Sequence, residues 1–292
     1  MGRLVVIANQ KGGVGKTTTT INLAVALAAP KRRILVLDLD PQGNATSGLT
    51  PPASLAEIKN SGKTIYEAMV NGLPLKDAIR KVREDVSLLP SGPNLVGAEI
   101  ELATVEGRER RLKEILKPIR DNYAFILIDT PPSLGLLTLN ALVAADSIMV
   151  PMQCEYYALE GLSALLDTIA RVRKALNPDL RIYGLLLTMF DARNRLSHEI
   201  AREVNRHFPE QVFQSVIPRN VRLSESPSHG LSVLEYDGKS AGAEAYRALA
   251  GEVLARAGSA DVSRETSEAS PPRRTWSLRA LFAREADRGK RG

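Results

Sequence analysis

The 292-residue sequence predicts an α/β fold, a doubly wound, mostly parallel sheet flanked by helices. Three observations predict it. Short, unbroken apolar runs recur along the chain, as strands covered on both faces require. Helical patterns alternate with those runs, the order of repeated β-α-β units. The first run leads into a Gly-rich turn and two later ones close in aspartate, so polar chemistry gathers at the carboxyl ends of strands, where open α/β sheets bind ligands.

Residues 4–8, Leu-Val-Val-Ile-Ala, read as the first strand. The stretch Lys11-Gly12-Gly13-Val14-Gly15-Lys16-Thr17-Thr18 follows, and an Ala- and Leu-rich helical pattern runs through 21–28. The stretch is a variant of G-x-x-x-x-G-K-[ST], with Gln10 at the leading glycine position and an extra lysine at the front. Strand, turn and helix together direct backbone N–H groups at an anion by the helix N-terminus. Lys16 is then placed to reach the β- and γ-phosphates of a nucleotide, and the Thr17 hydroxyl to ligate Mg²⁺. The plain alternative is a Gly-rich turn that binds nothing. The order of strand, loop and helix, which is the order the mechanism needs, argues against it.

Residues 33–39 are the second strand, ending in Asp38-Leu39-Asp40, with a turn-rich segment at 41–46. Asp40 is the candidate to position or activate an attacking water. Capping of the turn is the alternative for either aspartate, one of the two doing only that or helping to hold the shell of a metal ion. Residues 51–106 are less regular, with short helices expected at 64–70 and 75–79, a strand at 86–89 and a helix at 94–102. A further helix is expected at 108–120, where Leu112, Ile115, Leu116 and Ile119 fall at helical spacing and the many charges form a solvated face. Residues 124–128 are a strand ending in Asp129-Thr130-Pro131-Pro132. Asp129 is expected to bind Mg²⁺ through water, with the prolines stiffening the loop behind it. Helix 134–144, strand 147–151, helix 159–176 and strand 180–189 continue the alternation. Arg193 follows in a loop. After a further helix and strand comes a segment bearing Arg219 and Arg222, and a last helix covers 238–257.

Hydrophobic residues make up 44% of the chain and aromatics only 4%, so aliphatic side chains build the core. A formal charge of +6 suggests an anionic partner such as nucleic acid or a membrane face. A single cysteine, Cys154, excludes an intrachain disulfide, a Cys-based metal cage and a bridging iron–sulfur cluster. No apolar run has the length to cross a bilayer and no signal segment opens the chain, so a soluble, cytoplasmic protein is expected. The absence of an Asn-Lys-x-Asp motif argues against GTP. Residues 258–272, rich in Ser, Glu, Ala and Pro, read as a disordered linker. Residues 273–292 hold seven basic and two acidic side chains, a net +5, and a short helix around Leu278, Leu281 and Phe282 is expected there. That tail could add DNA affinity, lie on a membrane surface or dock a partner. The short stripe, with Trp276 off it, ranks the membrane behind the other two.

The phosphate-loop variant resembles the signature of the deviant Walker A ATPases, P-loop NTPases that include ParA/Soj and MinD proteins, nitrogenase iron protein and dethiobiotin synthetase. Residues 40–46 (Asp-Pro-Gln-Gly-Asn-Ala-Thr), 129–133, 153–161 and 217–225 narrow the likeness. All four resemble the chromosomal ParA (Soj-type) partition ATPases, and the likeness covers residues 1–257, the expected ATPase domain. It implies an enzyme that uses ATP and Mg²⁺, closes as an ATP-sandwich homodimer and binds double-stranded DNA without sequence preference. It also implies a ParB-like centromere-binding partner that stimulates hydrolysis, and nucleoid association in the ATP state, the cycle segregating chromosome origins. By motif match, Lys11 is a lysine supplied to the partner subunit's nucleotide, Lys16 the phosphate lysine, Asp40 the hydrolytic aspartate and Asp129 the strand-end aspartate. Gly12, Gly13, Val14, Gly15, Thr17 and Thr18 complete the phosphate site, with Thr17, Asp40 and Asp129 around the metal. Met189 and Pro218 flank the adenine, and Arg193, Arg219 and Arg222 lie on DNA-binding loops. A MinD-like membrane-cycling ATPase is the alternative, resting on the tail alone. A metabolic ligase would need a carboxylate- or amine-binding pocket that the sequence does not reveal.

Overall fold

The computed structural model describes residues 2–155 and 158–266. β1 (Arg3–Ile7), buried from Leu4 onward, runs into the Gly-rich turn from which α1 (Lys16–Leu27) departs. β2 (Ile34–Asp38) is wholly buried and closes in its aspartate. Four short helices follow, α2 (Asn44–Leu49), α3 (Pro52–Lys59), α4 (Ile65–Met69) and α5 (Leu75–Ala78). Their starts are chemically marked. Pro52 takes the first position of α3, and Thr64 and Glu67 form a reciprocal capping box on α4. β3 (Arg80–Arg83) and β4 (Val86–Leu89) form a hairpin turning at Glu84 and Asp85. α6 (Leu95–Glu101) and α7 (Arg111–Leu116) lead to β5 (Phe125–Asp129). Strand and helix then alternate as α8 (Leu136–Ala144), β6 (Ser147–Gln153), α9 (Ala158–Ala175), β7 (Arg181–Thr188) and α10 (Arg195–His207). α11 (Val221–Glu225), α12 (Val233–Tyr236) and α13 (Ala241–Thr266) complete the described chain.

The seven strands lie in the order β3-β4-β2-β5-β1-β6-β7, all pairs parallel except β3 with β4. The expected doubly wound parallel sheet is therefore present. Register decides where the chemistry falls. Ile7 and Asp38 both lie opposite Asp129, so β1, β2 and β5 end at one level and offer two aspartates beside the Gly-rich turn. Among the described residues no helix is long and apolar enough to cross a membrane.

Four expectations change. Residues 44–59, read as turn-rich and irregular, hold α2 and α3, because Gly43 in the left-handed region starts one and Pro52 the other. β3 was not anticipated: its residues Arg80, Lys81 and Arg83 carry no apolar alternation, and edge pairing with β4 alone makes it a strand. The strand expected before residue 217 is replaced by isolated bridges, Leu185 with Val212 and Phe190 with Pro218. Proline, lacking an N–H, cannot extend that ladder. Finally, α13 continues through Thr266 into the expected linker. The compact unit of the fold is Met1–Val253. Residues 267–272 of the expected linker and the basic tail at 273–292 lie outside the described residues, and so do the three readings of that tail.

One packing constraint on β7 is testable. A Cβ on Gly184 would meet the Phe213 ring at 2.3 Å, and Phe213 is 1% exposed. Gly184→Val is expected to destabilise the fold by about 1–3 kcal/mol or more through overpacking, read as a lower midpoint in urea. An unchanged midpoint would contradict that contact.

Candidate nucleotide site and basic face

The Gly-rich turn owes its shape to its glycines. Gly13 and Gly15 have φ of +72° and +85°, a region costly for other residues. Side chains at the ends of β6 and β7 hold the turn's carbonyls: Gln153 donates to the Gly13 oxygen at 2.9 Å and Thr188 to the Val14 oxygen at 2.8 Å. Asn9 steadies the entry, accepting from the Lys11 N–H at 3.0 Å and donating to the Pro151 oxygen at 2.7 Å. With these carbonyls directed into the protein, the turn is arranged as an anion cradle.

Lys16 begins α1 and is only 7% exposed. Its ammonium donates to the Lys11 carbonyl at 3.3 Å, a long bond for a group with three donors. Burial lowers its pKa, opposed by the charges of Asp129 and Asp40. Beneath it, the Thr17 hydroxyl donates to Asp129 at 2.8 Å and Thr20 donates to the other oxygen of the same carboxylate at 3.2 Å. Burial, then the charge of Asp38, pushes the Asp129 carboxyl above the usual range. A hydroxyl and a carboxylate converging in this way suit Mg²⁺, which takes few protein oxygens and keeps waters and phosphate oxygens for the rest. Among the described residues no cluster of three or more His, Cys, Asp or Glu would hold an ion by itself.

The two aspartates after β2 separate in role. Asp38, fully buried, accepts from the Thr46 N–H and hydroxyl, each at 2.6 Å, and from the Asp40 N–H at 3.3 Å. It fastens α2 to the strand. Asp40 uses one oxygen to accept from the Gln42 N–H at 2.9 Å, and its backbone oxygen accepts from Ser91 at 2.7 Å. Its other carboxylate oxygen has no protein hydrogen-bond donor among the described residues. Lys11 pairs within its own chain, its ammonium 2.5 Å from the half-exposed Glu155.

A cavity of about 250 Å³ opens beside the turn, lined by Gly15, Thr18, Met189, Pro218, Arg219 and Tyr246 among others. It brings together Met189 and Pro218, 29 residues apart in sequence. Met189 has φ +49°, an unusual backbone for a methionine and a mark of a constrained site. The segment that supplies Pro218 also supplies Arg219 to the cavity wall and carries Arg222 just beyond it. Phe190, just beyond β7, bridges Pro218 and accepts from the Arg219 N–H at 3.2 Å, and the charge of Arg219 acts on Asp191. Arg193, in its loop, donates twice to Asp191, at 3.0 and 3.1 Å, which holds that carboxyl down at about 2. Arg222 is not on a loop as expected but in the first turn of α11, capped by Asn220. It pairs with Glu225 at 2.9 Å and Asp237 at 3.3 Å. The sequence reading missed Thr20, one turn along α1 from Lys16, and Thr188 and Tyr246, which reach the site through β7 and α13.

A family described as an AAA domain matches residues 2–182. The chain is 52% identical over 257 residues to the chromosome partitioning protein ParA of Myxococcus xanthus, covering 88% of this chain and 89% of that protein. It is 49% identical over 254 residues to the chromosome-partitioning ATPase Soj of Thermus thermophilus, covering 87% and 96%. Among solved structures, it is similar to cobyrinic acid a,c-diamide synthase from Mycobacterium smegmatis with a bound ATP analogue and magnesium. That match has a TM-score of 0.77 and 36% identity over 89% of this chain and 97% of that one.

Proposed function

The chain belongs to the ParA/Soj chromosome-partitioning ATPases, and from that premise we propose that it is a nucleotide-switched DNA-binding protein whose ATP-bound dimer grips DNA without sequence preference. The protein is an ATPase that uses ATP and Mg²⁺. Residues 1–257 form its ATPase domain, and a ParB-like partner stimulates hydrolysis to drive segregation of chromosome origins. The observation that carries the switch is the shared strip of chain: residues 217–220 and Leu223 line the cavity at Gly15, and the same strip bears Arg219 and Arg222.

The geometry supports a role for each residue. N–H groups of Gly12, Gly13, Val14 and Gly15 hold phosphate oxygens, with Thr18 beside them, and Lys16 neutralises their charge from its buried position. Thr17 and Asp129, with Asp40 close by, hold the magnesium ion, which supplies further neutralisation of the phosphate oxygens. Asp40 orients the attacking water with its unengaged carboxylate oxygen. Met189 and Pro218 cover the adenine. Lys11 leaves Glu155 to act on the partner's nucleotide, adding positive charge where the transferred phosphoryl group develops negative charge. Arg193, Arg219 and Arg222 meet DNA phosphates, and a dimer doubles them on one surface.

DNA co-sedimentation with ATP, with ADP and without nucleotide tests this. Binding is expected to be far tighter with ATP than in the other two conditions, falling steeply as salt rises because each phosphate contact releases counterions. Equal binding in all three conditions would overturn the switch.

A further inference from the structure

The β3 edge strand has a use beyond closing the sheet. Its pairing with β4 slips between Lys81 and Arg83, a bulge of the kind that re-aims a side chain. The Arg83 side chain is one-fifth exposed, and its guanidinium reaches three separate segments. Nη1 donates to the carbonyl of Leu49, the last residue of α2, at 2.9 Å. Nη2 donates to the Gly230 carbonyl at 2.7 Å. Nε and Nη2 grip the Glu235 carboxylate of α12 at 2.6 and 3.2 Å.

The segments so joined are those that matter. α2 begins at the turn after Asp40 and is fastened there by Asp38 through Thr46. Gly230 closes the short turn that follows α11, and α12 leads to Asp237, which pairs with Arg222. Backbones touch here without slack, since a Cβ on Gly230 would lie 2.1 Å from the Thr50 oxygen. A shift of the Asp40 turn that moves α2 must carry the 226–230 segment with it.

We propose that Arg83 is a positioning residue that couples the Asp40 turn, through Leu49, Gly230 and Glu235, to the helix bearing Arg222, so that nucleotide state sets DNA affinity. The inference rests on the DNA reading above. Arginine suits this position because its planar fork meets a carboxylate and two carbonyls at once, which a lysine cannot do.

Arg83→Gln and Glu235→Gln are compared with the parent protein and with Arg222→Ala, measuring DNA affinity with ATP and with ADP, basal ATP turnover and the unfolding midpoint. Arg83→Gln is expected to keep basal turnover within about twofold. It is expected to cut the ATP-to-ADP ratio of DNA affinities at least about fivefold, the low end of ordinary coupling between sites. Glu235→Gln, which keeps both carbonyl contacts, is expected to lose less, while Arg222→Ala lowers affinity in both nucleotide states. An unchanged ratio in Arg83→Gln overturns the coupling. A parallel fall of turnover, DNA affinity and midpoint reduces Arg83 to a brace and also overturns it. If the parent protein itself shows no nucleotide-dependent DNA binding, the DNA reading fails first, and the coupling with it.

Discussion

Lys16→Ala is expected to remove nucleotide binding. The Lys16 ammonium is nearly buried within reach of two carboxylates, Asp129 and Asp40, whose charges both act on it. A triphosphate entering the cradle meets those same negative groups, and Lys16 is the cation inside the site that offsets them. Losing a charged hydrogen-bond partner and leaving buried anions facing each other costs roughly 3 kcal/mol or more, about a hundredfold in affinity. Alanine keeps the first turn of α1 helical, so the loss is not one of folding. A titration with a fluorescent ATP analogue reads the affinity, and circular dichroism checks the helix. Parent-like affinity in Lys16→Ala would mean that the cradle is not the phosphate site.

Asp40→Ala is expected to separate binding from turnover. Its unengaged carboxylate oxygen is the feature the proposed hydrolysis uses, and a positioned base contributes about 10²- to 10⁴-fold to such a step. Turnover should fall by that order while ATP-dependent dimerisation survives, so the ATP-bound form accumulates. The other oxygen caps the turn through the Gln42 N–H, and Asp40→Asn isolates that contribution. Asparagine retains an acceptor for the Gln42 N–H but lacks the carboxylate. If Asp40→Asn hydrolyses ATP at the parent rate, the carboxylate is not the hydrolytic group.

Both predictions start from residues the sequence marks by itself. The glycines of the phosphate loop, Lys16, Thr17 and the strand-end aspartates are legible because a buried strand followed by a required backbone shape is a local signal. The order of strands and the parallel sheet are legible for the same reason: apolar runs alternate with helical spacing. The ranking of Asp38 against Asp40 was not legible. Both follow β2 two residues apart, and only the placement of Thr46 and Gln42 shows one acid fully engaged and the other with an oxygen to spare.

The charged strand β3 shows the opposite limit. Nothing in Arg80-Lys81-Val82-Arg83 announces a strand, because its conformation comes from the β4 edge. The contacts of Arg83 span 34 residues to Leu49 and 147 to Gly230, separations no local pattern encodes. The cavity wall is similar, since Met189 and Pro218 meet only because the chain returns along β7 after α10. Arg193, Arg219 and Arg222 could be named from their segments. Their pairing with Asp191, Glu225 and Asp237 could not.

The sequence by itself determined the sheet, the phosphate cradle and the identity of the acids beside it, because each depends on spacing within a few residues. The tertiary structure alone decided which aspartate is unengaged, which residues wall the cavity and how α2, after the Asp40 turn, is tied through Arg83 to Gly230 and Glu235. Those outcomes depend on which strand ends lie level in the sheet and which distant carbonyls come within reach of one guanidinium.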